Sequence, residues 1–149
     1  MIISQLQDQK ILVVDDDDDT RLLFEVLLES EGATVQTAAS VAEALTLLTW
    51  REVDLLLTDI TMPETDGWTL LHHLRRSDRL DLQRLPVIAI TATAGLEMAE
   101  KAKRAGFAAC LFKPIDLEEL IAAVVKTLSV EIHRLETAEA PVLLQGLPE

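Results

Sequence analysis

Residues 10–20 read KILVVDDDDDT, an apolar run that ends abruptly in five consecutive aspartates. The run is apolar at successive positions rather than at alternate ones, which is typical of a strand buried on both faces of a sheet. Strands of that kind belong to parallel sheets that carry helices on both sides. The aspartates begin where the strand should end, so they are predicted to lie at the carboxyl edge of the sheet.

The rest of the chain repeats this pattern of apolar runs separated by helical stretches. Because strand and helix alternate five times, the sequence predicts an α/β fold with a five-stranded, doubly wound parallel sheet and helices on both faces. Of the common strand orders, 2-1-3-4-5 suits a chain of this length. The predicted strands are 11–14, 33–37, 53–58, 87–90 and 108–112, and the predicted helices are about 19–30, 40–50, 66–77, 95–105 and 116–130.

The domain boundaries follow from the last helix and the ends of the chain. Apolar residues between 117 and 128 recur at three- and four-residue spacing, and Asp116 is placed to cap that helix. Pro141 should end any continuation of it. We expect residues 1–8 to be an N-terminal extension, 9–130 to be the folded domain, and 131–149 to be a helix extension and a tail or linker.

Composition excludes several classes of protein. The chain has 149 residues, of which 49% are apolar, and 26 acidic against 13 basic residues leave a net charge of −13. That charge repels phosphate backbones, so direct binding of nucleic acid is not expected. No apolar run approaches the roughly 18–20 residues of a membrane span. The single cysteine, Cys110, excludes an intramolecular disulfide and fits a reducing compartment, so we expect a cytoplasmic location without membrane contact.

Polar side chains stand directly after four of the five predicted strands. Asp15 and Asp16 follow the first strand, Asp59 follows the third, Thr91 ends the fourth and Lys113 follows the fifth. The carboxyl ends of the strands in such a sheet meet at one edge, where these folds place their sites. The sequence therefore predicts a site with at least three carboxylates, a hydroxyl and an ammonium group.

The chemistry of that set favours a metal ion and phosphoryl transfer. Close carboxylates repel one another, and a hard divalent cation such as Mg²⁺ relieves the repulsion by binding their oxygens. A carboxylate beside Mg²⁺ and a lysine can accept a phosphoryl group, since both cations offset the charge on its oxygens.

Four stretches in this order resemble a known family: ILVVDDDDDTRLL at 11–23, DLLLTDITMPETDGW at 54–68, LPVIAITA at 85–92 and LFKPID at 111–116. Over about residues 9–130 the chain resembles the receiver domain of two-component response regulators, which has a flavodoxin-like fold. The resemblance implies that Asp59 is the phosphoacceptor. It also implies that Asp15, Asp16, Asp59 and the backbone carbonyl of Thr61 hold Mg²⁺, the only cofactor expected.

The same resemblance assigns the remaining site residues. Thr91 would be the hydroxyl that moves to the phosphoryl group, Lys113 its salt-bridge partner, and Lys113–Pro114 a cis peptide bond. Gly67 resembles the glycine of the loop after the phosphorylation site. One position departs from the family: Cys110 stands where a tyrosine or phenylalanine commonly turns inward when the threonine moves, so the usual coupling of the switch is in question.

The resemblance also implies the partners. A histidine kinase or histidine phosphotransfer protein would donate the phosphoryl group, and a downstream protein target would respond to it. A homodimer through the face of the fourth helix, fifth strand and fifth helix is compatible with this class. Such a domain is not an enzyme for a separate substrate, because it catalyses only its own phosphorylation and dephosphorylation.

Two alternatives remain open from the residues themselves. Asp16, Asp18 and Thr20 spell the D-x-D-x-T motif of haloacid-dehalogenase-type phosphatases, in which Asp16 would be the nucleophile. That interpretation does not explain Asp59, and the chain leaves no room for a cap domain. The second alternative is a receiver-like module that binds partners without phosphorylation, which the small Cys110 would fit.

Overall fold

The computed structural model describes residues 5–62 and 65–145, with side chains except those of 135–145. Pro63 and Glu64 of the second quoted stretch, and Leu147 of the tail, lie outside the described residues. The strands are β1 (Lys10–Val14), β2 (Thr34–Ala38), β3 (Leu55–Asp59), β4 (Val87–Thr91) and β5 (Ala109–Phe112). The helices are α1 (Asp18–Ser30), α2 (Val41–Trp50), α3 (Gly67–Arg75), α4 (Leu80–Gln83), α5 (Leu96–Ala105) and α6 (Leu117–Gln145).

The five strands form one parallel sheet in the order β2-β1-β3-β4-β5, which confirms the predicted fold class and strand order. The register aligns the carboxyl ends of the strands. Val14 is paired with Thr58, Asp59 with Ile90, and Thr91 with Phe112. Residues that follow β1, β3, β4 and β5 therefore meet at one edge of the sheet.

The helices cover both faces of the sheet, and β1 shows why. Its side chains alternate between two buried clusters, so Leu12 and Val14 face one layer while Ile11 and Val13 face the other. The first cluster includes apolar residues of α2, α3 and α5, and the second includes residues of α1 and α6. Because both faces are buried, β1 reads as a continuous apolar run in the sequence.

Short polar residues begin four of the helices by accepting backbone N–H groups. Asp17 caps α1, Ser40 caps α2, Asp66 caps α3, and Asp116 caps α6 by accepting from the second and third N–H groups after it. Caps of this kind are each worth about 1 kcal/mol. The cap predicted at Asp116 is confirmed, and Asp17 shows that part of the aspartate run serves α1.

The ends of the domain differ from the sequence-based prediction. Helix α6 continues through Pro141 to Gln145, so the expectation that Pro141 ends the helix was wrong. A proline removes one backbone hydrogen bond, and the residues at 136–140, ETAEA, include strong helix formers that keep the helix continuous. Although α6 has 29 residues, no helix of the described residues is long and apolar enough to cross a membrane.

Two further features were not predicted. Leu6, placed in the N-terminal extension, is fully buried in the cluster shared with α1 and α6, and its N–H donates to the carbonyl of Glu31 at 3.0 Å. The folded unit therefore begins before residue 9. The short helix α4 lies in the connection before β4, where one turn of helix carries no periodicity that a sequence pattern could reveal.

Candidate functional site

Three carboxylates meet at the carboxyl edge of the sheet. Oxygen atoms of Asp15, Asp16 and Asp59 all lie within 4.8 Å of one another. Asp15 is only 1% exposed and Asp59 only 6%, whereas Asp16 is exposed to solvent. The cluster therefore has two buried members and one member that faces the entrance.

Lys113 joins this cluster from the loop after β5. Its Nζ atom lies 3.1 Å from Oδ2 of Asp59 and 3.4 Å from Oδ2 of Asp15. Partial burial lowers the pKa of Lys113, but the hydrogen bond to Asp59 and the charges of Asp15 and Asp59 outweigh that effect and raise the pKa overall. The ammonium group is thus held in its charged form beside the two buried carboxylates. The peptide bond between Lys113 and Pro114 is cis, as the resemblance implied.

The buried position of Asp15 disfavours the ionised form of its carboxyl group. Burial raises the pKa of its carboxyl group, and the nearby charge of Asp59 acts in the same direction. The N–H of Asp17, which donates to Asp15 at 2.9 Å, and the charge of Lys113 lower the pKa, but they do not fully compensate. One lysine is therefore not enough to neutralise the carboxylates, which leaves the site suited to a further cation.

The donor set fits Mg²⁺. Three carboxylates with their oxygens within 4.8 Å form an all-oxygen environment, which hard divalent cations prefer. Thr61 comes directly after this edge, and its N–H donates to Oδ1 of Asp59 at 3.1 Å. That hydrogen bond holds the carboxylate of Asp59 in a fixed rotation.

Thr91 lies at the end of β4, next to the strand that carries Asp59. Thr91 is 1% exposed, and its hydroxyl oxygen accepts the N–H of Thr93 at 3.0 Å. With this residue the structure places every predicted polar group at the same edge of the sheet.

Gly67 and Thr58 both pack against the backbone carbonyl of Asp59, and only Gly67 was singled out in the sequence. A Cβ atom at Gly67 would stand 2.7 Å from the backbone carbonyl oxygen of Asp59, so α3 begins in direct contact with the end of β3. The buried hydroxyl of Thr58 donates to the same carbonyl oxygen at 2.9 Å. Thr58 gave no sequence signal, because a threonine within a buried strand is ordinary.

Arg21 is a second residue that the sequence analysis missed. Its guanidinium group donates to the backbone carbonyl of Asp15 at 2.7 Å and also pairs with Asp18. Arg21 therefore fixes the loop that carries the aspartates. The signal available was its position three residues, or about one helical turn, after Asp18.

The motif of the phosphatase alternative is not assembled at the site. Asp18 is the first residue of α1 and pairs with Arg21, while Thr20 donates from its N–H and hydroxyl to Asp17. The cluster that can hold a cation contains Asp16 together with Asp15 and Asp59, and does not include Asp18. Asp59 is thus central to the site, as the receiver interpretation requires.

Cys110 lies half-buried in β5, where it packs against the same core cluster as Trp68 and Met98. Burial raises the pKa of its thiol, so the thiol is less reactive than an exposed one. The same cluster contains Phe107, whose ring centre lies 5.3 Å from that of Trp68 in an edge-to-face contact.

Comparison with known proteins identifies the family to which these features correspond. A family model described as the response regulator receiver domain matches residues 11–125. The chain is 46% identical over 116 residues to an uncharacterised 14.6 kDa protein of the sodA1 3′ region of Leptolyngbya boryana, which covers 78% of this chain and 87% of that protein. It is 37% identical over 116 residues to the sensor histidine kinase RcsC of Escherichia coli strain K12.

That second match covers 78% of this chain but only 12% of the kinase, so the chain corresponds to a small part of that much longer protein. Among solved structures, the crystal structure of a putative response regulator from Chloroflexus aurantiacus J-10-fl superposes with a TM-score of 0.76 at 31% identity. That superposition covers 83% of this chain and 99% of the other.

Proposed function

Because the chain belongs to the response regulator receiver family, we propose that it is a switch that accepts a phosphoryl group on Asp59 from a phosphohistidine. The observation that carries this proposal is the placement of Asp59. Its carboxylate is 6% exposed, lies within 4.8 Å of two further carboxylates and stands 3.1 Å from the ammonium group of Lys113. Receiver domains are signalling domains, and this one would act on itself rather than turn over a separate metabolite.

The metal site of the proposal uses the three carboxylates. Asp15, Asp16 and Asp59, with the backbone carbonyl of Thr61, would hold Mg²⁺, which when bound would offset the negative charge on the transferred phosphoryl group. The fit rests on the donor chemistry: the site has three acidic groups and one lysine, so its own charges do not balance.

The transfer step uses groups that already surround the carboxylate of Asp59. An oxygen of Asp59 attacks phosphorus, an O–P bond forms as the P–N bond to the donor imidazole breaks, and the imidazole nitrogen takes up a proton. Thr61 holds the carboxylate through its N–H, and Lys113 stabilises the charge on the transferred group. Water attack on the acyl phosphate later resets the switch.

We infer that Thr91 responds to the new charge by forming a hydrogen bond with the phosphoryl group. Its buried hydroxyl lies at the end of the neighbouring strand and can donate to a phosphoryl oxygen after a short movement. Phosphorylation adds a charge of about −1.5 to −2, by analogy with other phosphorylated side chains. At Cys110, no aromatic ring is present to follow the movement of Thr91. The conformational change would therefore reach the face of α5, β5 and α6, which contains the fourth and fifth helices of the sequence prediction, through packing of the strand itself.

The surface beside the site offers a place for the phosphodonor. Helix α1 begins three residues after Asp15, and Leu22, Leu23 and Val26 on this helix are 59%, 49% and 58% exposed. Exposed apolar side chains next to a reactive group are typical of a docking surface. A histidine kinase or phosphotransfer protein would dock there, in the cytoplasm, while a downstream target or a second copy of the chain would use the face of α5, β5 and α6.

The direct test is phosphorylation with a small donor. Acetyl phosphate and Mg²⁺ should add the mass of one phosphoryl group to the wild-type protein, as seen by intact mass spectrometry. The adduct should be absent without Mg²⁺ and absent in Asp59→Asn, and should be present in Asp19→Asn, an exposed aspartate of α1 that serves as the matched control. An adduct that persists in Asp59→Asn would contradict the assignment.

Two other outcomes would favour the alternatives. Continuous hydrolysis of the donor that is lost in Asp16→Asn would support a phosphatase. No adduct in a protein that binds Mg²⁺, even with a panel of phosphorylated histidine phosphotransfer proteins, would support a binding module that works without phosphorylation, which Cys110 would fit.

A further inference from the structure

A second concave site lies at the opposite end of the sheet from Asp59. The cavity has a volume of about 570 Å³, and its lining includes Pro86 before β4, Gly106 and Ala108 before β5, and side chains of α6. Residues before the strands belong to the edge that is remote from the acidic cluster. The cavity is therefore separate from the proposed phosphorylation site, and its volume is in the range of pockets that bind small molecules.

The cavity is positively charged in a strongly acidic protein. Among the side chains that the structure describes, four cationic and two acidic ones line it, and together they carry a formal charge of +2, whereas the whole chain carries −13. Four of the 13 basic residues of the chain thus converge on one cavity. The cationic residues are Arg75, Arg84, Lys126 and Arg134, and the acidic ones are Glu119 and Glu131.

Arg75 is the residue that points most directly to a ligand. It is half-buried, and burial together with the charge of Arg134 lowers its pKa more than the charge of Glu131 raises it. Its hydrogen bonds reach only the carbonyls of Leu82 and Gly106, both at 3.5 Å. Within residues 5–62 and 65–134, no carboxylate oxygen lies within 4.0 Å of this guanidinium group. A half-buried guanidinium with long hydrogen bonds retains donors that an anion can satisfy.

We propose that this cavity binds a small phosphate-bearing ligand with two adjacent phosphoryl groups, the chemistry shared by nucleoside diphosphates and inorganic polyphosphates. Guanidinium groups match phosphate oxygens as paired donors, and Arg75, Arg84 and Arg134 supply three of them. Arg134 already lies 3.5 Å from a carboxylate oxygen of Glu131, so Arg75 and Arg84 would contribute most of the binding. Among the described residues of the lining there is no aromatic side chain on which a base could stack, so recognition would rest on the phosphates. A volume of about 570 Å³ suits a compact anion better than an extended acidic peptide, which would need a longer groove.

The test is a calorimetric titration of inorganic pyrophosphate into the full chain, in low salt and without divalent cations. Wild type should bind, and Arg75→Gln should weaken binding about tenfold, as expected for loss of a charge-assisted hydrogen bond. Arg84→Gln should weaken it about threefold, because Arg84 is exposed and its charge is screened. Arg84 also keeps the test decisive if Arg75→Gln affects folding.

Two controls separate this site from other effects. Arg51→Gln removes the same charge from an exposed arginine outside the cavity and should leave binding unchanged. Asp59→Asn should also bind pyrophosphate normally, so failure of the phosphorylation proposal would not affect this result. The proposal is overturned if pyrophosphate does not bind, if Arg51→Gln weakens binding as much as Arg75→Gln, or if only an oligoglutamate peptide binds with this arginine dependence.

Discussion

The contact between Gly67 and the end of β3 gives the sharpest prediction about this fold. Gly67 is the first residue of α3, and its N–H donates to the carbonyl of Ile60 at 2.9 Å. A Cβ atom added there would lie 2.7 Å from the backbone oxygen of Asp59 and 3.1 Å from the Cα atom of Ile60. Both are backbone atoms, which cannot rotate away as a side chain would, so Gly67→Ala must move α3 or the backbone that carries Asp59.

The size of the effect follows from two opposing contributions. Alanine in a helix is favoured over glycine by about 1 kcal/mol. Forcing an extra carbon into a packed site costs about 1–3 kcal/mol, and the backbone contacts place this substitution at the upper end of that range. We expect Gly67→Ala to lower the free energy of unfolding by about 1–2 kcal/mol, and to slow phosphorylation because Asp59 is displaced.

The assay is urea unfolding followed by circular dichroism, together with the rate of adduct formation from acetyl phosphate. Gly106→Ala is the matched control. Gly106 has a φ of 110°, and its nearest atom to a new Cβ is 3.9 Å away on Leu71. This control should lose stability through backbone strain alone, about 1 kcal/mol or more, and keep the wild-type phosphorylation rate. The reasoning is refuted if Gly67→Ala is as stable as wild type and is phosphorylated at the same rate.

Three further predictions concern single side chains. Without metal at neutral pH, Asp15→Asn should unfold at a higher temperature than wild type, because burial raises the pKa of Asp15 and makes its ionised carboxylate unfavourable in the folded protein above that pKa. Mg²⁺ should stabilise this variant less than it stabilises wild type. A lower unfolding temperature for the variant without metal would contradict this. Asp116→Ala should cost about 1 kcal/mol in urea unfolding, since the carboxylate accepts the N–H groups of Glu118 at 2.8 Å and Glu119 at 3.1 Å; an unchanged unfolding midpoint would exclude the cap. Cys110 should react more slowly with a disulfide reagent at pH 8 in the folded than in the urea-unfolded protein, because burial shields the thiol and raises its pKa; equal rates would show an exposed thiol.

The polar residues of the site could be predicted because each one stands at the end of a strand that is easy to see in the sequence. Asp15 follows the four consecutive apolar residues of β1, and Asp59 is the last residue of β3. Parallel strands bring such positions to one edge of the sheet, so local sequence patterns indicated a cluster of residues that are distant from one another in the chain. The roles of Asp59, Thr91 and Lys113 in phosphoryl transfer stay predictions until the adduct is measured.

The sequence patterns failed at both ends of the domain. Leu6 looked like part of an extension, because one leucine among polar neighbours carries no periodicity, yet it is buried in the cluster that contains residues of α1 and α6. Pro141 looked like a helix end because proline is strongly disfavoured inside helices, but α6 tolerates the loss of one backbone hydrogen bond. For Leu6 the deciding residues are distant in the chain, whereas at Pro141 the helix formers directly before it outweigh the preference of a single residue.

By itself, the sequence determined the order of the strands and of the five longer helices, the parallel sheet and the set of residues at its carboxyl edge. These follow from hydrophobic periodicity and from the buried strands, which are local properties of the chain. Only the tertiary structure decided which atoms touch: the ammonium of Lys113 3.1 Å from Asp59, the backbone of Asp59 against Gly67, and the half-buried guanidinium of Arg75 in a cavity with Arg134. These arrangements depend on sheet register and on how the helices pack against the sheet, which no single segment specifies.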